Sequence, residues 1–126
     1  MTPALFTPFA LKDAHLRNRI AVPPMCQYVA VNGFTTDWHA VHYASLARGG
    51  SSLVIVEATA VSPEGRITPG CAGLWNDRQI AGMATVAREI KAAGAVAGIQ
   101  LAHAGRKASA NRPWEGDDLI ADGDPR

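Results

Sequence analysis

The chain has 126 residues, 48% of them hydrophobic and 18% charged, with 12 Lys and Arg against 11 Asp and Glu. That balance is the composition of a soluble globular protein of at most one domain, and a net charge of +1 with scattered basic residues leaves no electrostatic footprint for nucleic acid. The longest wholly aliphatic stretch, Leu53 to Val56, is far short of the roughly 20 residues that span a bilayer, and Met1-Thr2-Pro3 opens no signal peptide, so neither a membrane nor secretion is expected and the cytoplasm is the default location.

In chain order, residues 1–17 read as an extended N-terminal cap, with Leu5, Phe6, Phe9, Leu11 and Leu16 spaced by Pro3, Pro8 and Lys12-Asp13. Ile20 to Val22 is a first strand, stopped by Pro23-Pro24, because proline removes ladder donors and keeps the residue before it extended. Thr36 or Asp37 can cap a helix carrying Trp38, Val41, His42, Ser45 and Leu46 at helical spacing, with Gly49 ending it in the left-handed conformation. Leu53 to Ala58 is an uninterrupted, β-branched-rich run, as in a strand of a parallel sheet covered on both faces. Asn76 or Asp77 can cap a second helix through Ile80, Met83, Val86, Ala87 and Ile90, with Gly94 past its end. Val96 to Leu101 is the third strand.

The order is therefore βαβαβ, and its connections are lopsided. Links from helix to strand are brief (Gly49 to Ser52, then Gly94-Ala95), whereas links from strand to helix are long (Pro23 to Asp37, Thr59 to Asp77, and the tail from His103). In a parallel α/β barrel the loops after the strands build the active site and the opposite face serves stability. An open doubly wound sheet shares the order but needs Gly-x-Gly-x-x-Gly after its first strand, where Pro23-Pro24-Met25-Cys26 stands instead. Gly65 to Gly70 has the glycine spacing of a phosphate loop, yet Cys71 and Ala72 occupy the positions of the required Lys and Ser or Thr.

Individual residues carry two readings each. Cys26 and Cys71 form no Cys-x-x-Cys pair and read as reduced thiols; a free cysteine is often just a small buried hydrophobe. Gln100 ends an apolar strand, where an unpaired amide costs about 1 to 3 kcal/mol, so either neighbouring backbone or a ligand edge must satisfy it. Ala58 is a small packing residue or a place of close approach. His39 and His42 lack a third ligand nearby and are read as structural, so no metal is expected. Glu57 in a buried strand needs a cationic or hydrogen-bonding partner, for instance an arginine.

Six segments in order carry a resemblance: Pro23-Pro24-Met25-Cys26-Gln27-Tyr28, Trp38-His39-x-x-His42-Tyr43, Ala47-Arg48-Gly49-Gly50, Val56-Glu57-Ala58-Thr59-Ala60-Val61, Gly65-Arg66, and Gln100-Leu101-x-His103-Ala104-Gly105-Arg106-Lys107. From about Leu5 to Asp118 the chain resembles the old yellow enzyme family, in particular its class with a cysteine beside the flavin. The resemblance implies an α/β fold, the N-terminal βαβαβ portion of a TIM (β/α)8 barrel, with residues 1–126 part of a single FMN-binding domain. It implies an ene-reductase that binds FMN, takes hydride from NADPH as cosubstrate and passes it to small activated alkenes conjugated to a carbonyl or nitro group.

It further implies that Pro23, Pro24 and Met25 lay backbone along the flavin, that Cys26 tunes it, and that Ala58 and Gln100 hold it. Tyr28 would orient the substrate and Ile67 line its pocket, which makes Cys26 and Tyr28 the catalytic candidates of this segment. A homo-oligomer, dimer or tetramer, is the family tendency. Three strands cannot close an eight-stranded barrel, so the chain reads as an N-terminal piece that is inactive alone. Two competing readings are a related dienoyl-CoA reductase with an iron–sulfur cluster and a non-catalytic half-barrel partner module.

Overall fold

The computed structural model describes residues 1–124. A three-stranded parallel sheet runs in the order β3 (Ala21–Val22), β4 (Leu53–Ala60) and β5 (Val96–Ala102), with α1 (Asp37–Arg48) and α2 (Ile80–Ala92) forming the connections. Ahead of it, β1 (Phe9–Leu11) and β2 (Ala14–Leu16) pair antiparallel around Lys12, which adopts a positive φ of 51°. The N-terminal segment is thus a hairpin, not merely extended. No helix among the described residues is long and apolar enough to cross a membrane.

The sheet packs on both helices through Val54 and Val56 of β4, Tyr43 and Ala47 of α1, and Val86 and Ile90 of α2, closed below by Ala95. Its α1 contribution differs from the apolar stripe expected from sequence. Trp38 and Val41 are 51% and 61% exposed, while His39, Tyr43, Ala44 and Ala47 face inward. Small alanines let α1 approach the sheet closely, and the Tyr43 hydroxyl and His39 Nδ1 are hydrogen-bonded, which offsets part of the cost of burying these polar side chains.

Helix starts follow the caps seen in the sequence. Thr36 caps α1 in a box with His39, and Asn76 caps a short 3-10 turn (Asp77–Gln79) that leads into α2, in a box with Gln79. The C-terminus of α1 differs by one residue from expectation: Gly49 stays in the right-handed helical region, and Gly50 takes the positive φ, 108°. Both helix C-termini meet at Arg17, whose guanidinium donates to the carbonyls of Ala47 (2.7 Å), Ser51 (2.9 Å) and Ala93 (3.5 Å). A cation there complements the negative ends of the helix dipoles. This end of the sheet is occupied by structural hydrogen bonds, leaving the opposite end, where the long loops are, for a site.

Candidate functional site

β3, β4 and β5 are parallel, so their C-terminal ends lie along one edge of the sheet. At that edge β4 departs from regular pairing: Val56 pairs with Ile99 and Ala58 with Gln100, leaving Glu57 as the extra residue of a bulge. The bulge buries Glu57 completely, next to the equally buried Val56, instead of alternating it to the other face. The Tyr43 hydroxyl donates to Glu57 Oε1 (2.9 Å) and accepts from the Glu57 N–H (3.0 Å), and the Gln27 N–H donates to Oε2 (3.1 Å).

His39 completes this cluster. Its Nδ1 accepts the Thr36 N–H at 2.9 Å, and its Nε2 lies 3.4 Å from Glu57 Oε1. The partners of Glu57 are therefore a phenol, a backbone amide and an imidazole, and not the arginine suggested as an example from sequence. Burial, then the Glu57 charge, pushes the Tyr43 phenol above its usual range, so it stays a donor. Because Gln27 lies in the loop after β3, this cluster anchors that loop to the end of β4.

The anchored loop carries the candidates. Pro23 and Met25 are exposed, and Pro24, Cys26 and Tyr28 are half-buried. The Gln27 N–H bond to Glu57 Oε2 sets the neighbouring Cys26 beside the Glu57–Ala58 end of β4, where Cys71 first and then burial push its thiol up. Ala58 is in turn the register partner of Gln100, whose side chain is exposed. Cys26, Ala58 and Gln100 thus follow one another across three neighbouring strand ends, with an unburied carboxamide at one side and a half-buried thiol at the other.

Tyr28 is held in an uncommon conformation, at φ 58°. A bulky residue in the left-handed region is strained and persists only where its surroundings impose it. Here Arg112 Nε donates to the Tyr28 carbonyl at 3.2 Å, Trp114 sets its ring edge-on at a centroid distance of 5.8 Å, and Gly70 packs so closely that a Cβ would lie 2.3 Å from that carbonyl oxygen. Burial first, and then the neighbouring Cys26, raises the Tyr28 pKa, which keeps the phenol protonated at neutral pH. Neither Arg112 nor Trp114 is singled out by sequence, since both lie in a loop with no periodicity.

Ile67 belongs to the loop after β4, where its carbonyl accepts the Ala110 N–H at 2.8 Å. Its side chain is half-buried and lines a groove with Arg106, Lys107 and Leu119. His103 is spent on loop structure: Nδ1 accepts the Gly105 N–H at 3.0 Å, and the ring lies against Gly65. No cluster of three or more His, Cys, Asp or Glu side chains able to hold a metal occurs among the described residues.

Comparison with known proteins fits this geometry. The NADH:flavin oxidoreductase / NADH oxidase family model matches residues 4–121. The chain belongs to that family. An NADPH dehydrogenase of Listeria welshimeri is 52% identical over 106 residues, covering 82% of this chain and 31% of the relative. One of Bacillus subtilis is 49% identical over 110 residues, covering 86% and 32%. The chain therefore spans about a third of the length of the curated relatives it matches.

Among solved structures, morphinone reductase in complex with tetrahydroNAD superposes with a TM-score of 0.77 at 31% identity, over 86% of this chain and 29% of that one. An Old Yellow Enzyme from Pichia sp. AKU4542 superposes at 0.78 with 27% identity, over 84% and 28%. The βαβαβ unit is thus a portion of the family's TIM barrel, an α/β fragment whose three parallel strands do not close.

Proposed function

We propose that the ends of β3, β4 and β5 form one wall of an FMN seat in an NADPH-dependent reductase of small activated alkenes, of the xenobiotic reductase kind. The observation that carries this reading is the contiguity of Cys26, Ala58 and Gln100 along one open strand-end edge. The residues present fit a flat heteroaromatic group. Gln100 offers a donor and an acceptor on one exposed amide, Ala58 allows close approach without side-chain bulk, and Pro23, Pro24 and Met25 hold the adjoining backbone extended. Bound FMN would supply hydride transfer between NADPH and the alkene.

The chain's own residues hold and orient. Gln100 fixes one edge of the ring system by complementary hydrogen bonds, and Cys26 places a polarisable sulfur at the other side of the same wall, where it tunes the electron affinity of whatever lies against it. Tyr28, kept protonated, presents a hydroxyl donor to a substrate carbonyl or nitro oxygen, and Ile67 gives the pocket an apolar side. Glu57 stays out of the chemistry, fully buried with its oxygens engaged, and fixes the loop on which Cys26 and Tyr28 stand. A cytoplasmic, oligomeric enzyme acting on small molecules completes the reading.

The relatives' names, NADPH dehydrogenases at 49% and 52% identity, favour this reading over the iron–sulfur reductase and the half-barrel module. Its test is Cys26→Ser in the flavin-loaded protein. The serine variant is expected to change the midpoint potential of the flavin and shift its visible absorption bands. Identical potentials and spectra would remove Cys26 from the cofactor wall.

A further inference from the structure

Residues 109–120, in the loop after β5, fold back on themselves: the Ile120 N–H donates to the Ser109 carbonyl at 2.8 Å, and the Asn111 N–H to the Asp118 carbonyl at 2.7 Å. The closed loop then reaches the two other loops of the strand-end face. Its Ala110 N–H donates to the Ile67 carbonyl at 2.8 Å, and at its tip Arg112 and Trp114 meet Tyr28. One short segment thus holds both of the residues assigned above to the substrate.

The Arg112 guanidinium is fixed from two directions. Its Nη1 donates to Glu115 Oε1 at 3.0 Å and its Nε to the Tyr28 carbonyl at 3.2 Å, while the Arg112 backbone N–H donates to Glu115 Oε2 at 3.2 Å. Because the guanidinium is planar, a carboxylate on one nitrogen also sets the direction in which Nε points. Trp114 is 66% exposed and adds nothing to the core; its ring meets the Tyr28 phenol edge-on, at an interplanar angle of 83°, a favourable aromatic geometry. Gly70 closes the opposite side, where a Cβ would stand 2.3 Å from the Tyr28 carbonyl oxygen and 2.7 Å from Arg112 Nε.

A tyrosine at φ 58° relaxes to extended or right-handed helical backbone when nothing opposes it, and such a rotation carries the phenol to a new place. We propose that Arg112 and Trp114 are positioning residues for the reduction: they keep Tyr28 in its left-handed conformation and so aim its hydroxyl at the carbonyl or nitro oxygen of the alkene, an inference that rests on the substrate contact proposed above for Tyr28. Arg112 holds the backbone and Trp114 the ring, so the two contacts fix the direction of the O–H from both ends of the residue.

The test is a double-mutant cycle on affinity, with no turnover. Cyclohex-2-enone is titrated into the flavin-loaded protein in its oxidised form without NADPH, and its Kd is taken from the perturbation of flavin absorption. Tyr28→Phe should weaken binding about three- to tenfold, the loss of one neutral hydrogen bond. Arg112→Ala and Trp114→Ala should each cost about threefold or more. Added to Tyr28→Phe, either should cost less than about twofold further, because no hydroxyl is left to aim. A contact that served folding alone would change affinity by the same factor with and without the hydroxyl.

A second measurement needs neither flavin nor substrate. In the NMR spectrum of the full chain, a residue at positive φ brings its amide and Hα protons close together, so Tyr28 should give a strong cross-peak between them that weakens in Arg112→Ala. Equal losses in the two backgrounds, unchanged affinity in both single variants, or a Tyr28 cross-peak that Arg112→Ala leaves as it was would overturn the proposal. A Tyr28→Phe variant that binds the enone as the wild type does would instead remove the Tyr28 contact from the proposed function, and this inference with it. Trp114 lies on the surface, so its arm of the cycle decides the matter even if Arg112→Ala fails to fold.

Discussion

Replacing Glu57 with alanine is expected to lower the unfolding free energy by about 2 to 5 kcal/mol, the cost of leaving two buried donors without their acceptor at about 1 to 3 kcal/mol each. Glu57 is 0% exposed, and two donors bond its oxygens, the Tyr43 hydroxyl and the Gln27 N–H, with His39 Nε2 3.4 Å from Oε1. Alanine leaves both donors facing an apolar gap, and the bulge that turns residue 57 toward α1 loses the contact that gives it purpose. Glu57→Gln keeps the shape and one acceptor, so it should fall between the wild type and Glu57→Ala. Urea unfolding monitored by circular dichroism gives the three values directly. A loss below about 1 kcal/mol for the alanine variant would mean that the cluster is not a structural anchor.

Ile90→Ala is expected to cost about 2 to 5 kcal/mol, through lost transfer free energy plus the cavity left behind. Ile90 is 0% exposed and sits where α2 meets Val54, Val56 and Tyr43. Ile80, on the same helix but exposed, is the internal control, and Ile80→Ala should change stability by no more than about 0.5 kcal/mol. The two substitutions remove the same atoms from the same helix. Equal effects would mean that α2 does not pack on the sheet through Val86 and Ile90.

How much of this was legible in the sequence depended on how local each signal is. β4 and β5 announce themselves because a run such as Leu53 to Val56 has few structures open to it apart from a buried strand, and both helices are announced by caps at Thr36 and Asn76. The hairpin at Phe9–Leu16 escaped notice because its strands are three residues long and its turn depends on Lys12 at positive φ, which no residue type signals. The inward face of α1 was misread because hydrophobicity ranks Trp38 and Val41 above His39 and Tyr43. The latter pair packs against Glu57, a residue of another element, to which Tyr43 is hydrogen-bonded.

At the site, the segment Pro23 to Tyr28 and Gln100 were legible as breaks at strand ends. Their adjacency depends on the register shift at Glu57, which sequence does not encode locally. The bond from the Ala30 N–H to the Gly70 carbonyl, and the hold of Arg112 on Tyr28, join loops distant in the chain. Nothing near either partner in sequence points to the other.

The account turns on a ring seated across three strand ends, and a crystal structure of the flavin-loaded protein reads that directly. It should show the isoalloxazine against the Cys26 sulfur, the Ala58 backbone and the Gln100 carboxamide at once. A flavin bound elsewhere, or one that touches only one of these three, would contradict it.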